Sequence, residues 1–259
     1  MKTLDDIILN RLRQSPPKDC SVVPGSTPVI AFGKFRSAKV ATISLNPSYH
    51  EFDIVKGERR FHTLESLGIT KYEEINETHK NLVLDYCERY FERPGIVYSD
   101  WFDRIADFLK KSTGYDYYDG TACHLDLSQW ATLDVWGKLS SNQKKALISS
   151  SDLELLGEII KNGQIHTLFL NGKTTSKEIF KYLNIKPQKI LLRPTTKAEK
   201  TKYKVEGYVA QTDRILEMKI GRTINLIGWN TYLKYAGKDT IEILSQWVGQ
   251  EIQIFKSQK

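Results

Sequence analysis

Three short stretches of this sequence bring together residue types that can do chemistry. The first is "ISLNPSYHEF", where an apolar run ends in Asn46-Pro47-Ser48, followed by Tyr49 and Phe52. An asparagine amide both donates and accepts, so Asn46 can hold a water against a polar ligand. Pro47 fixes the turn, and Ser48 can donate to a phosphate. Tyr49, Phe52 and the later Phe61 supply flat faces for stacking. The alternative for each aromatic is a place in the core, where such residues are usually found. The second stretch is "HLDLSQWAT". Side chains repeat every second residue along a strand, so His124 and Asp126 fall on one side. Asp126 can accept from an exocyclic amine or stabilise a cationic sugar, with His124 orienting it. The alternative is a buried Asp-His pair that only holds a loop. Ser128 and Gln129 are further candidates for contacts to a base edge. The third stretch is "GWNTYL". Thr231 can hold a backbone phosphate, and Leu233 can act as an apolar wedge between bases. Trp229 and Asn230 flank them. Here the alternative is a helix start with Leu233 buried.

One pattern is set aside. "NGKTT", from Asn171 to Thr175, resembles the end of a phosphate loop, but that motif needs a glycine at position 167, which is Thr167. A turn and a helix cap account for these residues. The spacings expected of metal ligands or a serine nucleophile are missing. No cofactor and no metal are expected.

The elements that must position these residues alternate between strand and helix. Apolar, β-branched runs at 39–45, in "GTACHLDL", in "IHTLFLNG" and in "RTINLIGWN" read as four interior strands. Thr3 caps a first helix that ends before Ser15-Pro16-Pro17. The stretch 76–113 reads as mostly helical, with Leu82, Tyr86, Tyr90 and Phe91 marking one stripe and Ser99 capping a second helix. Ser151 with Glu154, and Thr175 with Glu178, read as capping boxes opening two more helices. Residues 189–220 read as a strand-rich excursion with a Lys-rich loop, and 240–252 as a closing helix. The pattern implies an α/β fold with three layers, α/β/α, around a mostly parallel sheet of about four strands. Ligands bind outside the carboxyl ends of such strands, where all three stretches lie. A single domain is expected over 1–259, with a helical insertion at roughly 53–118, because no linker-like block divides the chain.

Of the 259 residues, 40% are hydrophobic and 27% charged, enough for a covered core. The net charge of +7 suits a polyanion, nucleic acid being the commonest, although a solubilising surface has the same sign. Cys20, Cys87 and Cys123 are too far apart for a disulfide framework or a metal site and read as buried thiols in a reducing compartment. The acidic N-terminus lacks a signal peptide's apolar core, and no apolar run reaches membrane-spanning length. A cytoplasmic monomer that avoids membranes is expected.

"ISLNPS", "ERRFHTLESLGIT" and "GWNTYL", in that order, resemble the uracil-DNA glycosylase superfamily. Its mismatch-specific and single-strand-selective branches carry Asn-Pro-Gly at the first strand end. The resemblance implies that Asn46 positions the water that attacks C1′. It implies that Ser48 and Thr231 contact phosphates, that Leu233 is the wedge, and that Phe52 or Phe61 stacks on the base. Trp229 stands where other branches place a catalytic histidine, and Ser48 replaces the usual glycine. Asp126 stands near the family's base-reading asparagine, a change that favours a base with a donor edge, such as a cytosine derivative. The chain also looks like bacterial anti-phage glycosylases that remove bulky modified cytosines, and its aromatic-rich insertion suits an enlarged pocket. The expectation is a monofunctional enzyme that extrudes a modified base from DNA and leaves an abasic site. Two rivals stand beside it: a catalytically weak DNA reader, and a hydrolase of free nucleosides or other small molecules.

Overall fold

The computed structural model describes residues 2–194, 204–215 and 217–257. The Lys-rich stretch at 195–203 lies outside the described residues. In chain order the helices are α1 (Leu4–Leu12), α2 (Glu77–Glu88), α3 (Ser99–Thr113), α4 (Ser141–Leu147), α5 (Ser150–Asn162), α6 (Lys173–Tyr182) and α7 (Lys238–Ser257). The strands are β1 (Val40–Ser44), β2 (Ile54–Val55), β3 (Glu58–Arg59), β4 (Ala122–Asp126), β5 (Thr167–Asn171), β6 (Gln188–Arg193), β7 (Val205–Ile215) and β8 (Met218–Trp229). Single turns of 3-10 helix punctuate the loops, and β2 and β3 form a small separate hairpin.

The main sheet has six strands in the order β4-β1-β5-β8-β7-β6. Four of them, β4, β1, β5 and β8, run parallel, and β7 and β6 extend the sheet antiparallel. The result is an α/β protein with a mixed, mostly parallel sheet flanked by helices. The expected four strands are all present. The two extra ones come from the strand-rich excursion, which pairs with β8 instead of standing apart. Every residue of β4 and β5 is buried, as is β1 up to its last residue. Continuous apolar runs are what strands covered on both faces require. The edge strand β6 is largely exposed and carries Lys189 and Arg193, the kind of charge that discourages further strand addition.

Helices α5 and α6 pack on the sheet at β8 and β5, α7 packs on β8 and α3, and α1 packs on α5. Thr3 caps α1 with a reciprocal bond to Asp6, as expected. Other caps differ from expectation. The box opening α5 is Ser149 with Asp152, two residues before the expected pair. α6 starts from Gly172, so Thr175 lies inside the helix and is not its cap. Tyr98, not Ser99, stands at the cap of α3. Leu82 is exposed, and α2 instead buries Val83, Leu84 and Cys87.

Two buried polar knots hold the carboxyl ends of the strands. Arg11 reaches from α1 to Asp152 at 2.7 Å and to Gln129 at 2.9 Å, fixing the loop after β4 onto α5. Asn171 Oδ1, at the end of β5, accepts from Trp229 Nε1 and from the Leu233 backbone N–H, each at 3.1 Å. The next residue, Gly172, has φ +100°, and a Cβ there would sit 2.8 Å from Tyr232 Cδ2. Only glycine serves at that turn. Among the described residues, no helix is long and apolar enough to cross a membrane.

Candidate functional site

The parallel register places Thr42 beside His124 and Ser44 beside Asp126, with Asn171 beside Trp229 on the other half of the sheet. The four carboxyl ends therefore share one edge, and a cavity of about 720 Å³ opens there. Its walls come from the Asn46–Glu51 loop, the end of β4 with the loop running on to Trp136, the start of α6, and the turn after β8. The helical insertion adds Tyr98, Trp101 and Phe102.

Asp126 is the electrostatic anomaly of this cavity. It is 5% exposed, and neither carboxylate oxygen has a hydrogen-bond partner among the described residues. His124 Nε2 lies 3.6 Å from Oδ1, an electrostatic contact beyond hydrogen-bond length. Burial pushes the Asp126 carboxyl above its ordinary range, and the neighbouring imidazole pulls it only partly back. His124 is itself firmly held. Its Nδ1 bonds Thr42 Oγ1 at 2.7 Å, Thr42 in turn meets the Tyr117 hydroxyl, and Phe32 and Phe102 close on the ring at 5.2 and 5.3 Å. The expected pairing on one strand face is present. The alternative of a buried Asp-His pair has the same geometry, since the two side chains lie at ion-pair distance.

A second buried carboxyl, Glu51, lines the same cavity and was not anticipated. It is 2% exposed, and its Oε2 accepts from the Tyr90 hydroxyl at 2.7 Å. Desolvation pushes Glu51 up to about 8; the Tyr90 bond and the Arg60 charge oppose this, while Asp126 adds to it. Glu51 is thus mostly protonated at neutral pH and can donate. A loop glutamate reads as solvated in sequence, and its burial depends on Tyr90, 39 positions away. A raised carboxyl favours the folded state fully below the unfolded value near 4.5, and that contribution is lost as pH rises through about 8. At about 1.4 kcal/mol for each pH unit between the two, Glu51→Gln should remove a pH-dependent loss on the order of 5 kcal/mol. Denaturant melts of both proteins from pH 5 to pH 9 measure it; parallel curves would contradict it.

Asn46 is half-buried at the cavity wall. Its Nδ2 donates to Thr132 Oγ1 at 2.8 Å and to the Pro47 carbonyl at 3.0 Å. The amide is thereby oriented, and Oδ1 keeps its accepting capacity. Ser48 lines the cavity, but its Oγ already accepts from the His50 N–H and caps the turn Tyr49–Phe52. Tyr49 is 39% exposed at the mouth, in a row with His50 and Tyr98 at ring distances of 4.0 and 5.1 Å. Among the described residues, no cluster of three or more His, Cys, Asp or Glu is placed to hold a metal ion.

Several expected site residues lie elsewhere. Phe52 and Phe61 are core residues: Phe61 stacks on Tyr90 at 5.3 Å, meets Phe32 edge-on, and contacts Phe52. Ser128 is fully buried, and Gln129 belongs to the Arg11–Asp152 knot. Trp229 is fully buried against Phe108, with its indole N–H spent on Asn171. Asn230 reaches the cavity wall, but its amide is committed to Glu206 and Lys204 backbone atoms. Thr231 donates to Asn230 and does not line the cavity. Leu233 is fully buried in the turn after β8, so it cannot be a projecting wedge. Leu233→Ala should cost about 2–5 kcal/mol in denaturant melts, where a projecting wedge would cost under about 0.5 kcal/mol. Conversely, Gly172 to Thr175, set aside in sequence, do line the cavity. The residues that sequence reasoning missed are Glu51, Tyr98, Trp101, Tyr232, Lys173 and Lys234; the aromatic-rich insertion was the one signal pointing to Tyr98 and Trp101.

No family model matches this chain, and no curated protein matches it.

Proposed function

We propose that this protein is a DNA N-glycosylase that hydrolyses the bond between C1′ and a modified base swung into the cavity, leaving an abasic site. The observation that supports the reading is Asp126: a buried carboxyl with neither oxygen hydrogen-bonded among the described residues, in a cavity walled by Asn46 and Glu51. A buried unpaired carboxylate costs the fold free energy, and such groups cluster where chemistry needs them. As the glycosidic bond breaks, positive charge grows on the sugar, and an anion fixed beside it stabilises that charge.

The steps balance with two carboxyls. The bonding pair of C1′–N leaves with the base, which takes the proton of neutral Glu51. A water held by Asn46 Oδ1 bonds C1′ and gives its proton to Asp126. Solvent then returns Asp126 and Glu51 to their starting states. A base inside a duplex must be extruded to reach such a site. The cavity, about 720 Å³, is within the range of ligand pockets and larger than a bare pyrimidine needs. A bulky modified cytosine suits that space and the donor Glu51 provides. The net charge of +7, with Lys173 and Lys234 at the cavity, supplies attraction to phosphates. The sheet order and the Asn-Pro-Ser strand end are compatible with the uracil-DNA glycosylase superfamily, and the proposal is of a single α/β domain acting as a cytoplasmic monomer.

The test is incubation of the protein with DNA containing uracil, hydroxymethylcytosine or glucosylated hydroxymethylcytosine, followed by alkali. Strand breaks at the modified positions are expected, and none in unmodified DNA. Intact strands throughout would refute the activity.

A further inference from the structure

With Leu233 buried, the side chains that enter the base stack must come from elsewhere, and we propose that they are Leu133 and Val135, on the loop after β4. The inference rests on the glycosylase reading and adds the surface that engages the duplex. Nine large hydrophobic side chains are exposed among the described residues, and four of them, Tyr49, Leu133, Val135 and Tyr235, line this one cavity. Exposed apolar side chains gathered at one site mark an interaction surface, whereas scattered single ones do not. Leu133 is 53% exposed and Val135 63%.

The loop that carries them is rigid. Leu133 N–H donates to the Ser21 carbonyl at 2.7 Å, and Ser21 Oγ donates to Asp134 Oδ2 at 2.8 Å. Thr132 Oγ1 donates to the Asp134 carbonyl at 2.7 Å. The same Thr132 hydroxyl receives Asn46 Nδ2. An apolar side chain held on a fixed loop can enter an opened base step, as wedges in other DNA-bending proteins do. The shared Thr132 sets the wedge and the water-holding amide at a fixed spacing. A protein helix would need a continuous apolar stripe to dock here. This cavity is instead lined by single exposed apolar side chains and by Lys173 and Lys234, a combination that fits a duplex with one nucleotide removed from its stack.

The experiment uses a duplex and the matching single strand, each carrying glucosylated hydroxymethylcytosine next to 2-aminopurine. The full chain should raise 2-aminopurine fluorescence in the duplex. The double variant Leu133→Ala, Val135→Ala should lose most of that rise and bind the duplex about tenfold more weakly, with single-strand binding changed less than about twofold. Both side chains are exposed, so the variant should melt with the wild type. A variant equal to wild type on the duplex, or one losing equally on both strands, overturns the wedge and leaves the glycosylase reading standing. A wild-type chain that binds neither DNA overturns both.

Discussion

Asp126→Asn is expected to abolish base release and, at the same time, to make the protein harder to unfold. The loss of activity should reach about 10²–10⁴-fold, the scale of removing a charge that stabilises a transition state. The gain in stability follows from the sign of its ionisation. Burial raises the Asp126 carboxyl above its unfolded value of 3.8, so its contribution to stability is intact below that value and lost as pH climbs through the folded one. Both Asp126 carboxyl oxygens are buried without a hydrogen-bond partner among the described residues, and asparagine removes the ionisable group at nearly constant shape. A gain of about 1–3 kcal/mol is the scale of one unsatisfied buried group. Asp152 is the control. It is equally buried but accepts from Arg11 at 2.7 Å and from the backbone N–H groups of Gln129 and Ser149, each at 3.0 Å. Asp152→Asn should therefore cost about 3–5 kcal/mol by stranding Arg11. Denaturant melts at pH 7 alongside base-release assays separate the two roles. If Asp126→Asn unfolds as readily as Asp152→Asn, Asp126 is a structural residue.

Asn46→Ala should lower the rate of abasic-site formation by about 10²–10³-fold, the cost of one well-placed polar contact to the reacting atoms. DNA affinity should stay within about threefold, because phosphate contacts dominate affinity and Asn46 is assigned to the water instead. In the proposed mechanism the amide has two duties: Nδ2 tethers Thr132, and Oδ1 would hold the water. Thr132→Val removes the tether's partner and leaves Oδ1 in place. Its activity should fall by less than about tenfold, as expected for a positioning contact. Equal losses in the two variants would assign Asn46 to loop positioning. Release of base at the wild-type rate by Asn46→Ala would remove it from the chemistry altogether.

The sequence disclosed the frame of this molecule better than its site, and the reasons are physical. β1, β4 and β5 are short runs buried almost throughout and rich in apolar or β-branched residues, so they stand out against their neighbours. β6 and β7 were blurred because an antiparallel extension with one exposed edge alternates weakly. The expected pairing of His124 with Asp126 needed only the two-residue repeat of a strand. Phe52 and Leu233 could not be read the same way. An aromatic eight residues after the end of β1 looks alike whether a ligand or Phe61 lies beside it. The Leu233 position was decided by Asn171, 62 residues earlier, which captures its N–H and turns the side chain inward. Glu51 is the clearest omission, since nothing local marks a carboxyl that the fold will bury against Tyr90.

The most direct test of the central claim is a single-turnover reaction on DNA containing glucosylated hydroxymethylcytosine, run in ¹⁸O-labelled water, with mass analysis of both products. The expected products are an intact free base without label and an abasic sugar, with release by Asp126→Asn slowed about 10²–10⁴-fold. A wild-type reaction that releases no base, or an Asp126→Asn protein that releases it as fast, would contradict the account.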